Sequence, residues 1–198
     1  MTNAPLLENN YQDRPKCPTC GWYLDETATI ARMCEPCLDR AMKNRQSEYI
    51  AGQAGTRWAE TTLDTYNFSG NEAAYPILTD WADHPEGGLY LYGRNGLGKT
   101  HLAVALMRRL LAQHRQVVFS PCAELLASLR KAFDEKPNWM QREFMDSLST
   151  VEVLILDDLG AHKVSEWVIG ELFLILDRRE RNALRTVITS NLDLSEVA

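Results

Sequence analysis

Residues 93–100, which read Gly-Arg-Asn-Gly-Leu-Gly-Lys-Thr, constrain the fold of this chain more than any other segment. They match the pattern G-x-x-x-x-G-K-[ST] at every fixed position. The apolar run 88–92 before them predicts a buried strand, and residues 101–112 after them are rich in helix-forming Leu, Ala, Met and Arg. A phosphate-binding loop requires this order, because glycines let backbone N–H groups point at phosphate oxygens beside the positive end of a new helix. The sequence therefore predicts a nucleotide-binding P-loop.

The residues of this loop have separate expected roles. Lys99 is expected to reach the β- and γ-phosphates, and the Thr100 hydroxyl is expected to ligate Mg²⁺. The predicted nucleotide-contacting set is Gly93, Arg94, Asn95, Gly96, Leu97, Gly98, Lys99, Thr100 and His101. A glycine-rich turn that matches by chance is the alternative, and the flanking strand and helix patterns argue against it.

Composition limits the classes of protein that the chain can belong to. Its 198 residues allow one sizeable domain with a small appendage. No apolar run approaches the roughly 18 residues of a membrane span, and the first ten residues lack the pattern of a secretory signal, so we expect a cytoplasmic protein with no membrane partner. The net charge of −6 argues against coating of duplex DNA by bulk electrostatics.

Four of the five cysteines form two C-x₂-C pairs, separated by 13 residues: Cys17, Cys20, Cys34 and Cys37. In a reducing compartment this pattern favours a metal over two disulfides, and four thiolates select zinc in a closed, structural site. An iron–sulfur centre and four unrelated thiols are the alternatives. We therefore predict a zinc-binding module over residues 1–40, with metal binding supplying most of its folding free energy.

The polar segment that follows is interpreted as a linker over residues 41–57, with the nucleotide-binding core over 58–198. Tyr66 and Phe68 lie in an aromatic lead-in to this core, where packing is favoured over contact with a nucleotide base. The remaining cysteine, Cys122, precedes a predicted helix and is expected to pack as a small residue.

A second motif is predicted to complete the nucleotide site. Residues 151–156 form a continuous apolar run, which is typical of an interior strand of a parallel sheet, and Asp157 and Asp158 follow it. Ligands of open α/β sheets bind at the carboxyl ends of strands. Asp157 is therefore expected to hold the Mg²⁺ shell and Asp158 to polarise the attacking water, although the pair would also suit the start of a turn.

Residues 165–181 predict a long helix. Its apolar positions recur at helical spacing and are expected to face the core: Val168, Ile169, Leu172, Phe173 and Leu176. Arg178, Arg179 and Arg181 lie at its end, where a solvated helix terminus is favoured over a contact to a neighbouring subunit's nucleotide or to nucleic acid. Residues 186–191 predict a further strand that ends in polar residues.

Residues 89–103, 154–160, 165–167 and 189–192 together resemble the replicative-helicase loaders of the DnaC/DnaI type, which are AAA+ ATPases with the same core as the IstB transposition ATPases. The resemblance implies an α/β fold, a P-loop three-layer structure with a parallel sheet, preceded here by the small four-cysteine zinc module. It also implies that Asn191 is the sensor-1 residue, which helps to align the attacking water. The predicted catalytic set is therefore Lys99, Asp157, Asp158 and Asn191.

The function implied by this resemblance is ATP-dependent delivery of a DnaB-type replicative DNA helicase onto single-stranded DNA. The expected cofactors are ATP, Mg²⁺ and Zn²⁺, and the protein is expected to be a homo-oligomer or helicase-bound. Two alternatives remain: an IstB-like ATPase that assists a transposase, and a nucleotide-gated binding protein with little turnover. The four-cysteine module favours the helicase loader.

The family pattern continues past the sensor-1 strand into a segment with an arginine finger and a helical lid, whereas this sequence ends at Ala198. An arginine finger is worth about 10³–10⁵ in rate in related phosphoryl transfers. We therefore expect the 198-residue chain to bind ATP and to hydrolyse it very slowly.

Overall fold

The computed structural model describes residues 16, 35–135, 138–160, 166–193 and 195. Contacts divide the chain into two units, Met1–Arg45 and Gln46–Ala198. Three of the predicted zinc ligands, Cys17, Cys20 and Cys34, lie outside the described residues.

The first described helix, α1, spans Glu35–Ala54 and covers most of the segment that the sequence analysis interprets as a linker. Its C-terminal part belongs to the second unit. Ile50 is fully buried there, and the Tyr49 hydroxyl donates a hydrogen bond of 2.7 Å to the Val117 carbonyl oxygen. The Arg108 Nη2 atom lies 3.2 Å from the Ser47 hydroxyl oxygen. Only a few residues of α1 make these contacts, so its sequence carries no continuous apolar stripe. The sequence pattern therefore did not predict a packed helix.

Four strands form the sheet within the described residues: β1 (Leu89–Tyr92), β2 (Val117–Pro121), β3 (Val153–Leu159) and β4 (Arg185–Ser190). All of the pairings are parallel, and the spatial order is β1-β4-β3-β2. The apolar strand β3 is interior, as its sequence predicts, because both of its faces need cover. The carboxyl ends of all four strands therefore lie at one edge of the sheet.

In the part of the chain that the structure describes, five further helices connect and cover the strands: α2 (Ala74–Asp83), α3 (Lys99–Ala112), α4 (Cys122–Glu135), α5 (Asn138–Thr150) and α6 (Glu166–Arg181). Short 3₁₀ turns occur at Thr56–Trp58 and Leu63–Thr65. Pro76 lies in the first turn of α2, where a missing N–H costs nothing. Across the described ranges, no helix is both long enough and apolar enough to cross a membrane.

Two hydrophobic cores, one on each face of the sheet, account for the three-layer architecture. Val153 and Ile155 of β3 pack with α3 and the end of α1, whereas Leu154 and Leu156 pack with α4, α5 and α6. Successive side chains of a strand point to opposite faces, so the continuous apolar run of β3 serves both cores. The structure thus confirms the predicted three-layer α/β fold.

Helix α6 differs from its predicted orientation. Leu172 is buried as expected, but Ile169 and Phe173 are 55% and 68% exposed, so the prediction that they face the core was wrong. The buried stripe instead runs through Leu172, Ile175 and Arg179. The sequence of α6 carries apolar residues on two neighbouring stripes, and packing against α5 and β4 selects one of them.

Arg179 is fully buried, and its guanidinium joins three elements. It donates to the carbonyl oxygens of Leu148 (2.8 Å), Val151 (2.9 Å) and Arg185 (2.5 Å), and to the Thr186 hydroxyl at 3.0 Å. Burial lowers the pKa of Arg179 to about 10. A side chain held in this way cannot reach another molecule, so Arg179 is structural.

Arg178 and Arg181 remain at the surface and form ion pairs with Asp146 (2.9 Å) and Asp177 (2.6 Å), respectively. These local pairs agree with the favoured interpretation of a solvated helix end.

Candidate nucleotide-binding site

The P-loop connects β1 to α3 and is held from both sides. Gly93 N–H donates to the Ser190 carbonyl oxygen of β4 at 3.2 Å. At the other end, Gly98 is the N-cap of α3 with φ of 79°, a conformation that favours glycine. The Tyr66 hydroxyl donates to the Leu97 carbonyl oxygen at 2.6 Å, and a Cβ added at Gly98 would lie 2.4 Å from Tyr66 Cε2. Tyr66 therefore fixes the loop from outside.

Lys99 lies at the centre of the site. Its ammonium donates to the carbonyl oxygens of Gly93 (2.8 Å) and Arg94 (3.1 Å), and to Asn191 Oδ1 at 2.8 Å. The predicted P-loop lysine and the predicted sensor-1 asparagine are therefore in direct contact, although 92 positions separate them in the sequence.

Thr100 and Asp157, the two predicted Mg²⁺ ligands, are also in contact. The Thr100 hydroxyl lies 3.1 Å from Oδ1 and 3.0 Å from Oδ2 of Asp157. Asp157 is only 8% exposed. Burial raises the pKa of its carboxyl group, whereas hydrogen bonds from Thr189 and Thr100 and the charge of Lys99 oppose this rise. A hydroxyl beside a carboxylate is a donor set that suits a hard cation such as Mg²⁺.

Asp158 interrupts the regular strand. Its φ is 63°, and the pairing register of β3 with β4 shifts between Leu156 and Leu159. Its N–H donates to the Thr189 hydroxyl at 2.8 Å, and Asn191 Nδ2 donates to its Oδ1 at 3.2 Å. The irregular backbone lets two consecutive carboxylates serve one site, although side chains of a regular strand alternate between faces.

A cavity of about 320 Å³ opens above these residues. Its lining includes six of the predicted loop residues, Lys99 among them, and two further predicted catalytic residues: Asn95, Gly96, Gly98, Lys99, Thr100, His101, Asp158 and Asn191. It also includes three residues that the sequence analysis did not assign to the site: Arg57, Trp58 and Thr189.

Arg57 and Trp58 form a wall of the cavity that borders His101. The Arg57 guanidinium lies 4.3 Å from the centroid of the Trp58 ring, and Trp58 contacts His101 edge-on at 6.0 Å between centroids. His101 Nε2 lies within hydrogen-bond distance of the Thr65 hydroxyl, at 3.1 Å. The only sequence signal for Arg57 and Trp58 was the aromatic character of the segment that leads into the nucleotide-binding core. That signal does not tell which element a residue will contact.

Thr189 had a clearer signal. It lies on β4, and Asn191 follows two positions later, directly after the end of that strand; residues two apart in an extended segment share a face. The two aromatic residues that were considered as base contacts, Tyr66 and Phe68, pack instead against the core and contact each other at 4.6 Å between ring centroids.

Cys122, the first residue of α4, is buried in the core, as expected. Burial, together with the nearby charges of Asp158 and Asp157, raises the pKa of its thiol to about 11. Among the predicted zinc ligands, Cys37 lies in α1 and is buried. The described ranges contain no group of three or more potential metal ligands, so the zinc module stays a prediction.

A parallel α/β sheet with a P-loop after β1, and with acidic and polar residues at the neighbouring strand ends, defines a P-loop ATPase. The family model described as "IstB-like ATP binding protein" matches residues 38–198. The chain belongs to this IstB-like ATP-binding protein family.

Two of the similar proteins have different names. The chain is 24% identical over 169 residues to the replicative helicase loader DnaC of Buchnera aphidicola subsp. Baizongia pistaciae, a match that covers 82% of this chain and 69% of that protein. It is 38% identical over 101 residues to the insertion sequence IS21 putative ATP-binding protein of Pseudomonas aeruginosa, which covers 51% of this chain but only 37% of that protein.

The crystal structure of the DnaC helicase loader is similar to this chain with a TM-score of 0.61 and 30% sequence identity. The match covers 70% of this chain and 80% of that one. This likeness agrees with the AAA+ type of ATPase fold that the sequence resemblance implies.

Proposed function

We propose that this chain is an ATP-dependent loader of a replicative DNA helicase and that the cavity beside Lys99 is its ATP site. The observation that carries the ATP site is the direct contact of Lys99 with Asn191 and of Thr100 with Asp157. These contacts bring the P-loop together with the ends of β3 and β4, which is the arrangement that phosphoryl transfer needs.

The residues present fit Mg-ATP. The loop N–H groups and the α3 N-terminus would bind the phosphates, and Lys99 would exchange its present oxygen partners for phosphate oxygens. Thr100 and Asp157 would hold Mg²⁺, which would neutralise phosphate charge. Since Asn191 contacts both Lys99 and Asp158, the terminal phosphate would face Asn191 and Asp158. The nucleoside would then lie toward Trp58, at the His101 side of the cavity.

Asp158 and Asn191 would act on the attacking water. The Asp158 carboxylate would orient the water and accept its hydrogen bond, and the Asn191 amide, which already donates to Asp158, would fix that carboxylate. This division of labour separates ground-state binding by Lys99 from transition-state action by Asp158.

Two substitutions test the ATP site. Lys99→Ala is expected to remove binding of a fluorescent ATP analogue, whereas Asp158→Asn is expected to keep the affinity within about threefold and to reduce hydrolysis at least about 100-fold. An equal loss of affinity in the two variants would contradict these assignments.

Helicase loading is supported by the relatives that are named replicative helicase loaders. The proposed partners are a DnaB-type helicase and single-stranded DNA, with the protein as a homo-oligomer or helicase-bound. The predicted zinc module, with Cys17, Cys20, Cys34 and Cys37 as ligands, is proposed to hold the helicase.

Co-purification from the native host, followed by a helicase-loading assay on single-stranded DNA, tests this proposal. We expect recovery of the replicative helicase and ATP-dependent transfer of it to the DNA. A second candidate is an ATPase that serves a transposase, which the 38% identity to the IS21 protein favours. Recovery of a transposase without a helicase would support that candidate and contradict helicase loading.

A further inference from the structure

Thr189 occupies a buried position in contact with both acidic residues of the site. It is 1% exposed on β4. Its hydroxyl donates to Asp157 Oδ1 at 2.6 Å and accepts a hydrogen bond from the Asp158 N–H at 2.8 Å. One side-chain oxygen therefore contacts the carboxylate of one acidic residue and the backbone of the next.

The backbone of Asp158 needs such a partner. Its φ of 63° lies in the left-handed region, which costs about 1–2 kcal/mol for a residue with a side chain. The shift in pairing between Leu156 and Leu159 also removes the regular ladder at this point. The Thr189 hydroxyl receives the N–H that the ladder leaves without a carbonyl, so it stabilises the one backbone conformation that directs Asp158 into the cavity.

The residue type is informative as well. A buried strand position is normally well served by Val, which has the shape of Thr and no polar atom to bury. The Thr189 hydroxyl acts both as a donor, to Asp157, and as an acceptor, from the Asp158 N–H. Both of these hydrogen bonds are made to the acidic pair. A donor placed on Asp157 Oδ1 also fixes the rotamer of a carboxylate that the Thr100 hydroxyl contacts from the P-loop.

On the basis of the proposed ATPase function, we propose that Thr189 is a positioning residue for both halves of the site: it orients the Asp157 carboxylate for Mg²⁺ and the Asp158 main chain for the attacking water. It contacts neither phosphate nor water in this role. It acts only through the two acidic residues.

This role predicts two separable defects. Nucleotide binding without Mg²⁺ depends on the loop and Lys99, and Thr189 contributes nothing to it. The gain in affinity that Mg²⁺ provides depends on the orientation of Asp157, and the rate of the chemical step depends on Asp158. Loss of the hydroxyl should therefore reduce the Mg²⁺ effect and the rate while leaving the metal-free affinity unchanged.

The test compares Thr189→Val, which keeps the shape of the side chain, with Thr189→Ser, which keeps the hydroxyl. Affinity for a fluorescent ATP analogue is titrated on the 198-residue chain in EDTA and in Mg²⁺, and hydrolysis is measured in single turnover. We expect Thr189→Val to keep its affinity in EDTA, to lose roughly tenfold or more of the Mg²⁺ effect, and to lose about 10–100-fold in rate, the range found when groups that orient metal ligands are removed. Thr189→Ser should restore both quantities to within about threefold of the wild type.

Thr186→Val is the matched control, because Thr186 lies on the same strand and its hydroxyl accepts from Arg179 Nε at 3.0 Å, away from the acidic pair. It should lower the melting temperature and leave both nucleotide readouts unchanged. If Thr189→Val does not fold, as judged by circular dichroism, Thr189→Ala takes its place.

The outcomes distinguish this proposal from the function on which it rests. A wild type that binds no ATP would overturn the ATP site and this role of Thr189 with it. A wild type that binds Mg-ATP, beside a Thr189→Val variant with the same Mg²⁺ effect and rate, would overturn the role of Thr189 alone. That role would also be overturned if Thr189→Ser were as impaired as Thr189→Val, because the hydroxyl would then not be the group that acts.

Discussion

At the scale of single residues, Gly98 shows how tightly the loop is built. Its backbone lies in the left-handed region, and the ring of Tyr66 occupies the space that a side chain would need. The two constraints are distinct: the first is conformational and applies wherever φ is positive, and the second is a contact with one neighbour. Tyr66 in turn holds the Leu97 carbonyl oxygen, so a shift of its ring would move the loop.

Gly98→Ala is therefore expected to weaken binding of a fluorescent ATP analogue at least about tenfold, because the added methyl group displaces Tyr66 and with it the loop. Gly70→Ala is the control. Gly70 has a similar φ of 83°, and a Cβ there would meet nothing within 4 Å. This control should cost about 1–2 kcal/mol of stability from the strained backbone and leave nucleotide affinity unchanged. Equal affinities for the two variants would show that the contact with Tyr66 does not matter.

Cys122 provides a second prediction at this scale. With a thiol pKa of about 11, its thiolate is scarce at pH 8, and the amount rises about tenfold per pH unit until the pH approaches that value. We expect alkylation by iodoacetamide in the folded protein to be at least about 100-fold slower than in urea. Peptide mapping by mass spectrometry resolves Cys122 from the other cysteines. Comparable rates in the two states would contradict its burial.

At the scale of elements, α6 is positioned by a polar contact as much as by apolar ones. Its buried stripe includes Leu172 and Ile175 and then the guanidinium of Arg179, which donates to carbonyl oxygens at the end of α5 and at the start of β4. The helix is thereby tied to β4, the strand that carries Thr189 and leads into Asn191. Ile169 and Phe173, on the neighbouring stripe, are left exposed.

Arg179→Met is expected to lower the stability of the protein by about 3 kcal/mol or more, since it leaves several buried oxygens without a donor. For a domain of this size that corresponds to a decrease in melting temperature of roughly 6–12 °C. Arg178→Met is the matched control, because its ion pair with Asp146 is exposed and is worth at most about 1 kcal/mol. Thermal unfolding followed by circular dichroism measures both. Similar decreases in the two variants would contradict a structural role specific to Arg179.

At the scale of the whole molecule, the two units have different expected sources of stability. The second unit, Gln46–Ala198, buries apolar side chains on both faces of its sheet. For the first unit, Met1–Arg45, the sequence predicts stabilisation by a metal, because a segment of this length rarely buries enough apolar area to fold alone.

Elemental analysis should therefore return about one zinc per chain in protein that is purified without added metal. Replacing Cys17 or Cys34 by Ser should lower that content, since a closed site needs all of its thiolates. Cys122→Ser, in the core of the second unit, should leave it unchanged. An N-terminal unit that is folded and free of metal would rule out the zinc module.

The sequence by itself determined the parts of this protein that are built from neighbouring residues of the chain. These are the P-loop, the strand before it and the helix after it, and the acidic pair that follows the apolar run of β3. Such segments carry their own backbone requirements, so pattern alone identifies them. It also determined the layered parallel fold, because β3 is apolar on both faces. The resemblance to helicase loaders supplied Asn191.

The tertiary structure alone decided which distant residues meet. Parallel pairing brings the ends of β3 and β4 to one edge of the sheet, and this places Asn191 against Lys99 and Thr189 between Asp157 and Asp158. Packing also chose between the two apolar stripes of α6 and buried Ile50 of α1 in a segment with little hydrophobic pattern. The physical reason is the same in each case: a side chain's burial and partners depend on the neighbouring elements, and their positions are set by the fold as a whole.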